Sequence, residues 1–416
     1  MTTTASIEAE TAPPTDAELA AKYRPVFERI AAGAVERERH RILPSEQIRW
    51  LGDAGFGAIR IPRELGGDGA TLPQFFTLLI ELAAADSNLP QALRSHFAFV
   101  EDRLYSGGST HSTHGTPSTD WLRRIGKGQL VGNAWSETGP AKVGEVGTRI
   151  EPDEEGWRIT GTKYYTTGSL FADWILTGAR DSEGVDVNAL VDTSAPGVDI
   201  RDDWDGFGQR LTASGTTIYD NVPVPAENVL FSEDRAPYLT GIFQLIHNAT
   251  LAGICKAIVT ETAAHVRDRT RVYSHGNGER SSADVQIQQV VGELSANAFA
   301  TSAATLEVAR LAQTAFDQRH TATPESQQAA ITAVELGSSQ TQVVAGELTQ
   351  RSGSRLFDAL GASATKAPAQ LDRFWRNART LSSHNPAIYK ARILGDWEVN
   401  GNLPEFVWRA GEAKGI

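Results

Sequence analysis

From residue 16 to about 126, apolar positions recur at helical spacing. The clearest run is LPQFFTLLIELAAA (72–85), where Leu72, Phe75, Phe76, Leu79, Leu82 and Ala83 follow i, i+3, i+4. Thr71 is placed to cap this helix, and Pro73 falls in its first turn. PRELGGDGAT (62–71) predicts a glycine-rich turn before it. From about 128 to 232 the pattern shortens to β-type runs, among them QLVGNAW, WRITGTKYYTTG, ADWILTG and TTIYDNVPV. Turn clusters such as PDEEG, DSEG and SAPG separate them. From 236 to 397 helical periodicity returns. The Ala-rich stretches 284–318 and 324–350 look capless and too long for surface helices, so they predict a helical bundle. The order α, β, α with no internal repeat divides the chain into a disordered tail (1–15), an N-terminal helical domain (16–127) and a central β domain (128–235). A C-terminal bundle (236–400) and a short extension (401–416) follow.

Composition narrows the chemistry. The 416 residues include one Cys, Cys255, and one Met, the first residue. That excludes a disulfide framework and any cysteine-built zinc or iron–sulfur site. Net charge is −12, against the basic footprint a general nucleic-acid binder needs. The start, MTTTASIEAETAPPT, lacks the basic and apolar regions of a signal peptide, and no run approaches the ~20 apolar residues of a membrane span. The expectation is a cytoplasmic protein. GGSTHSTHGTPST (107–119) is a low-complexity loop; its His111 and His114 have no third ligand nearby and read as surface residues rather than a metal site.

Five segments carry a family resemblance. VGNAWSETGPAKVG (131–144), WRITGTKYYTTG (157–168) and FGQRLTASGTTIYDNVPVPAENVL (207–230) resemble the flavin-facing and closing strands of acyl-CoA dehydrogenase-fold flavoproteins. LFDALGASATKAPAQLDRFWRNARTLSSHNPAIYK (356–390) is similar to the dibenzothiophene monooxygenase and sulfur-acquisition oxidoreductase group, and RSHFAFVED (94–102) resembles that group's substrate-pocket helix. The resemblance implies an α+β fold: N-terminal helical domain, central β-barrel-like domain and C-terminal four-helix bundle.

It also implies a reaction. A dehydrogenase of this fold needs a carboxylate to take a proton from an acyl thioester. Neither place where relatives carry it, the C-terminal loop ARTLSSHNP (378–386) or the helix GIFQLIHNATLAGIC (241–255), contains an acid here, and Asp372 and Asp396 are misplaced. The resemblance instead implies a two-component monooxygenase that oxidises a small organosulfur compound through a flavin C4a-hydroperoxide. Reduced flavin, FMN ahead of FAD, would come from a separate reductase, with O₂ as co-substrate. No nucleotide-binding glycine motif is present for NAD(P)H. Ser363 stands where thiophene-oxidising relatives carry an Arg, which weakens a phosphate contact there.

The implied roles are these. His384 donates to, or shuttles a proton with, the oxygenated flavin. His96 orients substrate or assists from the opposite wall. Thr167 and Ser136 hydrogen-bond the flavin ring, with Tyr165, Thr166 and Ser383 beside it. Asn133 and Trp135 shape the pocket, and Arg271 pairs with the flavin phosphate. Each has a plain structural alternative: His384 as a loop residue before a helix at Pro386, His96 as a satisfied core histidine, Arg271 as part of a solvated basic face. Trp375 reads as core packing, Arg376 as an ion-pair or cofactor residue, Cys255 as buried and inert. The apolar surface of the C-terminal helices predicts burial between subunits, and the resemblance implies a homotetramer. The competing activity is amine or amino-sugar N-hydroxylation on the same scaffold, and a less favoured one is acyl-CoA dehydrogenation. The near-absence of sulfur residues sides with organosulfur chemistry, since an enzyme made under sulfur shortage gains from containing little of it.

Overall fold

The computed structural model describes residues 13–106, 117–137, 147–154, 156–231 and 235–405. His111, His114, residues 138–146 and most of both predicted tails lie outside the described residues. The N-terminal part contains α1 (Asp16–Ala32), α2 (Ala34–His40), α3 (Ser45–Asp53), α4 (Leu72–Ala85), α5 (Asn88–Ala92), α6 (Arg94–Tyr105) and α7 (Ser118–Gly126). Helix α4 is the run marked out by sequence: Thr71 and Gln74 form a reciprocal capping box and Pro73 lies in the first turn.

Strands β1 (Val131–Ala134), β2 (Arg149–Asp153), β3 (Gly156–Lys163), β4 (Trp174–Arg180), β5 (Asp186–Asp192), β6 (Val198–Ile200), β7 (Thr217–Val224) and β8 (Val229–Phe231) form one sheet. Its order is β6-β7-β3-β2-β4-β5-β8, with β1 parallel to β4. Alternating residues such as Ile150, Ile159, Ile175, Tyr219 and Val222 make its own core.

Helices α8 (Leu239–Asp268), α9 (Val285–Asp317), α10 (Pro324–Leu360) and α11 (Asp372–His384) build the bundle, and α12 (Ala387–Asn400) packs on α10. Helix α4 lies against α8 and α9, so a single apolar core runs from Tyr23 and Phe76 through Leu245 and Ile246 to Val334. Close approach is built in at Gly253, where a Cβ would stand 2.3 Å from that of Ala83.

Four expectations change. The long helices are capped after all: Asp284 accepts from the Gln286 and Ile287 amides, and Thr323 from Ser326. Single polar residues were hidden by the Ala-rich flanks. Residues 378–384 are not a loop but the last turns of α11. Helix α8 has the length and composition of a membrane span, yet its most apolar window is 83% buried inside the fold. It is the core helix, and its apolar run is interrupted by the polar residues of the site described below. Trp375 is not in the core; it is partly exposed and stacks on Phe207 at 5.8 Å. Arg376 proves to be an inter-helix ion pair, reaching Glu38 on α2 at 2.9 Å and Asp372 on its own helix at 2.8 Å. Cys255 is buried, 3.2 Å from the Thr349 hydroxyl.

Candidate active site

The last residue of α11 is His384. The helix stops there because Asn385 is extended and Pro386 cannot continue it. Asn385 is then clamped from two helices. Its side-chain amide donates to Gln244 Oε1 on α8 (2.8 Å), and its carbonyl accepts from Gln342 Nε2 on α10 (2.7 Å). Gln244 in turn donates to Asn248, which donates to the Ser338 carbonyl. This amide ladder fixes where the imidazole sits.

Arg94 Nη2 lies 3.2 Å from His384 Nε2. A guanidinium only donates, so Nε2 is the acceptor and the proton of the neutral ring is on Nδ1, facing Asn385 Oδ1 at 3.4 Å. His384 is exposed as a residue, and Arg94, Asn385 and His247 stand against its ring. Desolvation, then the charge of Arg94, hold its pKa well below the ordinary imidazole range. His247 of α8 stacks obliquely on it, with ring centroids 4.5 Å apart. His247 is wholly buried and neither ring nitrogen has a hydrogen-bond partner among the described residues. Burial, then Arg94 and His384, drive its pKa down too. Both segments that lack an acid therefore supply a neutral histidine, and the two rings touch.

His96 has another job. Its Nδ1 accepts the Val131 amide proton at 3.2 Å, so Nε2 carries the hydrogen and donates to the Gly57 carbonyl at 2.9 Å. Both nitrogens are spent on backbone, and burial lowers its pKa to about 4. Residues two apart on a helix point to opposite sides, about 200° apart. Arg94, rather than His96, is thus the α6 residue that meets His384. Sequence reasoning misses Arg94 and His247: for His247 the available signal is a polar residue within the apolar helix α8, while α6 is polar at many positions and offers none for Arg94.

The sheet supplies the other wall. Asn133 accepts a hydrogen bond from Ser95 Oγ, and the Ser169 hydroxyl donates to its carbonyl. With Trp135, Phe99, Leu176, Leu239 and Phe243, Asn133 lines a narrow hollow. Arg235 lies over the Trp135 ring at 5.0 Å. The Ser136 carbonyl accepts the Tyr164 amide, bridging the exits of β1 and β3. Tyr165 follows at φ +57°, half exposed and edge-on to Trp204. Thr166 and Thr167 are buried. Thr166 donates to the Gly215 carbonyl. The Thr167, Ser214 and Thr212 hydroxyls form a row at 2.8 and 2.7 Å that ends on the Gln209 carbonyl. The Thr167 hydroxyl also donates to the Tyr165 carbonyl at 3.3 Å, which leaves it one open acceptor lone pair once Ser214 donates to it. Gly168 then passes so close to α5 that a Cβ would meet the Ala92 carbonyl. Asn377 of α11 holds the 207–215 segment by accepting the Gln209 amide (2.6 Å) while donating to Ser87 (3.1 Å). Helices α5, α6, α8 and α11 and these two loops therefore close around one region.

Two expected residues stand apart. The Ser383 hydroxyl is exposed and donates back to the Arg379 carbonyl. Arg271 is exposed in the α8–α9 connection, about 30 Å along α8 from His247 at 1.5 Å per residue.

Family models for the N-terminal, middle and C-terminal domains of acyl-CoA dehydrogenase match residues 15–114, 134–222 and 245–387 in turn. The chain belongs to the acyl-CoA dehydrogenase family. Within it, dibenzothiophene monooxygenase of Rhodococcus erythropolis is 28% identical over 400 residues, 92% of this chain and 93% of that one. A probable FMNH2-dependent monooxygenase, SfnC of Pseudomonas putida, is 26% identical over 90% and 93%. FMN-bound TdsC from Paenibacillus sp. A11-2 superposes with a TM-score of 0.82 at 28% identity, covering 93% of this chain and 98% of that one.

A flavin, the cofactor this family implies, fits the residues present. Buried polar atoms with no hydrogen-bond partner among the described residues are found on the loops and helices that close around the site: both ends of the Gln209 amide, Gln91 Oε1 and both nitrogens of His247. A polar, ring-shaped cofactor with donors and acceptors along its edge suits such a set.

Proposed function

We propose that this acyl-CoA dehydrogenase-family protein is a two-component flavin-dependent monooxygenase acting on a small organosulfur compound. Reduced FMN comes from a separate reductase and O₂ is the co-substrate. The carrying observation is the His247–His384 contact: neutral imidazoles occupy the two segments where α-proton abstraction needs a carboxylate. Bound reduced flavin and O₂ supply one oxygen atom for transfer to a soft substrate atom. Ser136 and Thr167 hold the flavin ring, with Trp135, Tyr165 and Thr166 shaping its bed. His384 holds a proton on Nδ1 and relays it at the reacting edge, as a neutral donor in a crowded site. His96 positions α6 against β1 rather than touching substrate.

The full-length relationship to a dibenzothiophene monooxygenase supports sulfur oxidation. L-evernosamine nitrososynthase of Micromonospora sp. is 28% identical over 56% of this chain, which keeps N-oxidation as the second reading. We place the protein in the cytoplasm as a homotetramer. Exposed Tyr273, Phe299, Ile388 and Val399 on the C-terminal helices and their connections support assembly. Arg271, past the far end of α8 from His247, pairs in this reading with the phosphate in a neighbouring subunit.

The test supplies FMN, NADH, a flavin reductase and ¹⁸O₂ with thioethers, sulfoxides, sulfinates and amines. One labelled oxygen on sulfur, reduced on the order of 100-fold in His384→Ala, is expected. Labelled hydroxylamine instead selects the second reading. Anaerobic dye reduction by an acyl-CoA, without oxygen incorporation, overturns both.

A further inference from the structure

The described chain has five buried arginines, and four face a carboxylate: Arg37–Asp86 (2.9 Å), Arg60–Glu101 (3.1 Å), Arg103–Asp102 (2.7 Å) and Arg373–Glu261. Arg94, 8% exposed, is the exception. Among the described residues it has no ion pair, its Nη2 rests on a neutral imidazole, and its Nε has no partner. Phe243 lies beneath the guanidinium at 4.9 Å and also lines the hollow bounded by Trp135 and Leu239. A cation–π contact of this kind offsets only part of the desolvation of a buried guanidinium. The second orphan, His247, is fully buried beside it, and burial with the charge of Arg94 keeps that ring neutral.

We infer that Arg94 is an anion subsite and that the substrate is a small alkanesulfinate rather than a neutral thioether or thiophene. The inference rests on the monooxygenase reading above and deepens it. The guanidinium fork matches the two oxygens of a sulfinate, and its Nε, now unpartnered, takes one of them. The alkyl group lies toward Phe243 and the apolar wall. The sulfur lone pair stays free to form the new bond. In the balanced reaction the sulfinate gains one oxygen of O₂ to become a sulfonate. The other oxygen leaves as water with the two hydrogens and two electrons of reduced flavin, which the reductase supplies. His247 and His384 bring no negative charge to compete with the substrate, as a carboxylate would.

The experiment titrates the FMN-bound protein with ethanesulfinate and with ethyl methyl sulfoxide, a neutral compound of similar shape. Binding is read by calorimetry and by the flavin absorbance. Ethanesulfinate is expected to bind and the sulfoxide to bind much more weakly. Arg94→Gln should weaken sulfinate binding by at least about 30-fold, Arg94→Lys by less, with FMN affinity within about twofold. Equal binding of the two compounds by the unaltered protein overturns the inference, and that comparison decides even if Arg94→Gln does not fold. Undiminished sulfinate binding in Arg94→Gln also overturns it, as does a parallel loss of FMN affinity. Oxygen transfer to a neutral thioether without sulfinate binding removes the subsite and leaves the monooxygenase. Sulfinate binding with no labelled oxygen on any product does the reverse.

Discussion

His384 and His96 show how one residue type acquires two uses from its partners. The nitrogens of His96 are both tied to backbone, at Val131 and Gly57. Its folded pKa of about 4 lies below the roughly 6.5 of an unfolded chain. Between those values the unfolded state binds the extra proton, so stability is full above pH 6.5 and is lost as pH falls toward 4. His96 alone should remove about 2 kcal/mol between pH 7 and pH 5, checked by urea unfolding at the two values. His384 and His247 act in the same direction. For catalysis the sign matters differently. A neutral His384 throughout the working range gives turnover no imidazole limb near pH 6.5, and a kcat–pH profile flat from 6 to 8 is the expected outcome. A limb at 6.5 that disappears in His384→Asn would contradict the neutral state assigned to it.

At the scale of elements, the site depends on how α11 is seated. Asn377, two turns before His384, grips the 207–215 segment and Ser87 together. Asn377→Ala leaves the Gln209 amide unpaired in a buried place. The expected loss is about 1–3 kcal/mol in unfolding experiments, with weaker FMN retention because Ser214 shifts away from Thr167. The sequence disclosed α4 with its cap because period, capping box and proline all agreed there. It misread 378–384 as loop because serine and histidine near a proline are turn-like locally, whereas Leu381 and Ala378 bury one helical face against the bundle. It passed over Arg94 and His247 for a related reason. A polar residue on a helix is ambiguous until its neighbours on other helices are known.

At the scale of the molecule, the prediction concerns assembly. Light scattering should show four chains of 44.9 kDa each. Arg271→Ala should lower FMN affinity while the tetramer persists; unchanged affinity would place the phosphate elsewhere. The periodicities of 3.6 and 2 are local properties, so the α, β, α order, the sheet-forming runs and the absence of a cysteine-built metal site could be read from the chain alone. The missing carboxylate could be read too, because an absent residue type stays absent however the chain folds. What filled its place could not. His247 and His384 lie 137 positions apart and Arg94 a further 153 from His247. Only the packing of α6, α8 and α11 brings an unpaired guanidinium onto two neutral imidazoles, because charge, burial and tautomer are set by neighbours distant in sequence.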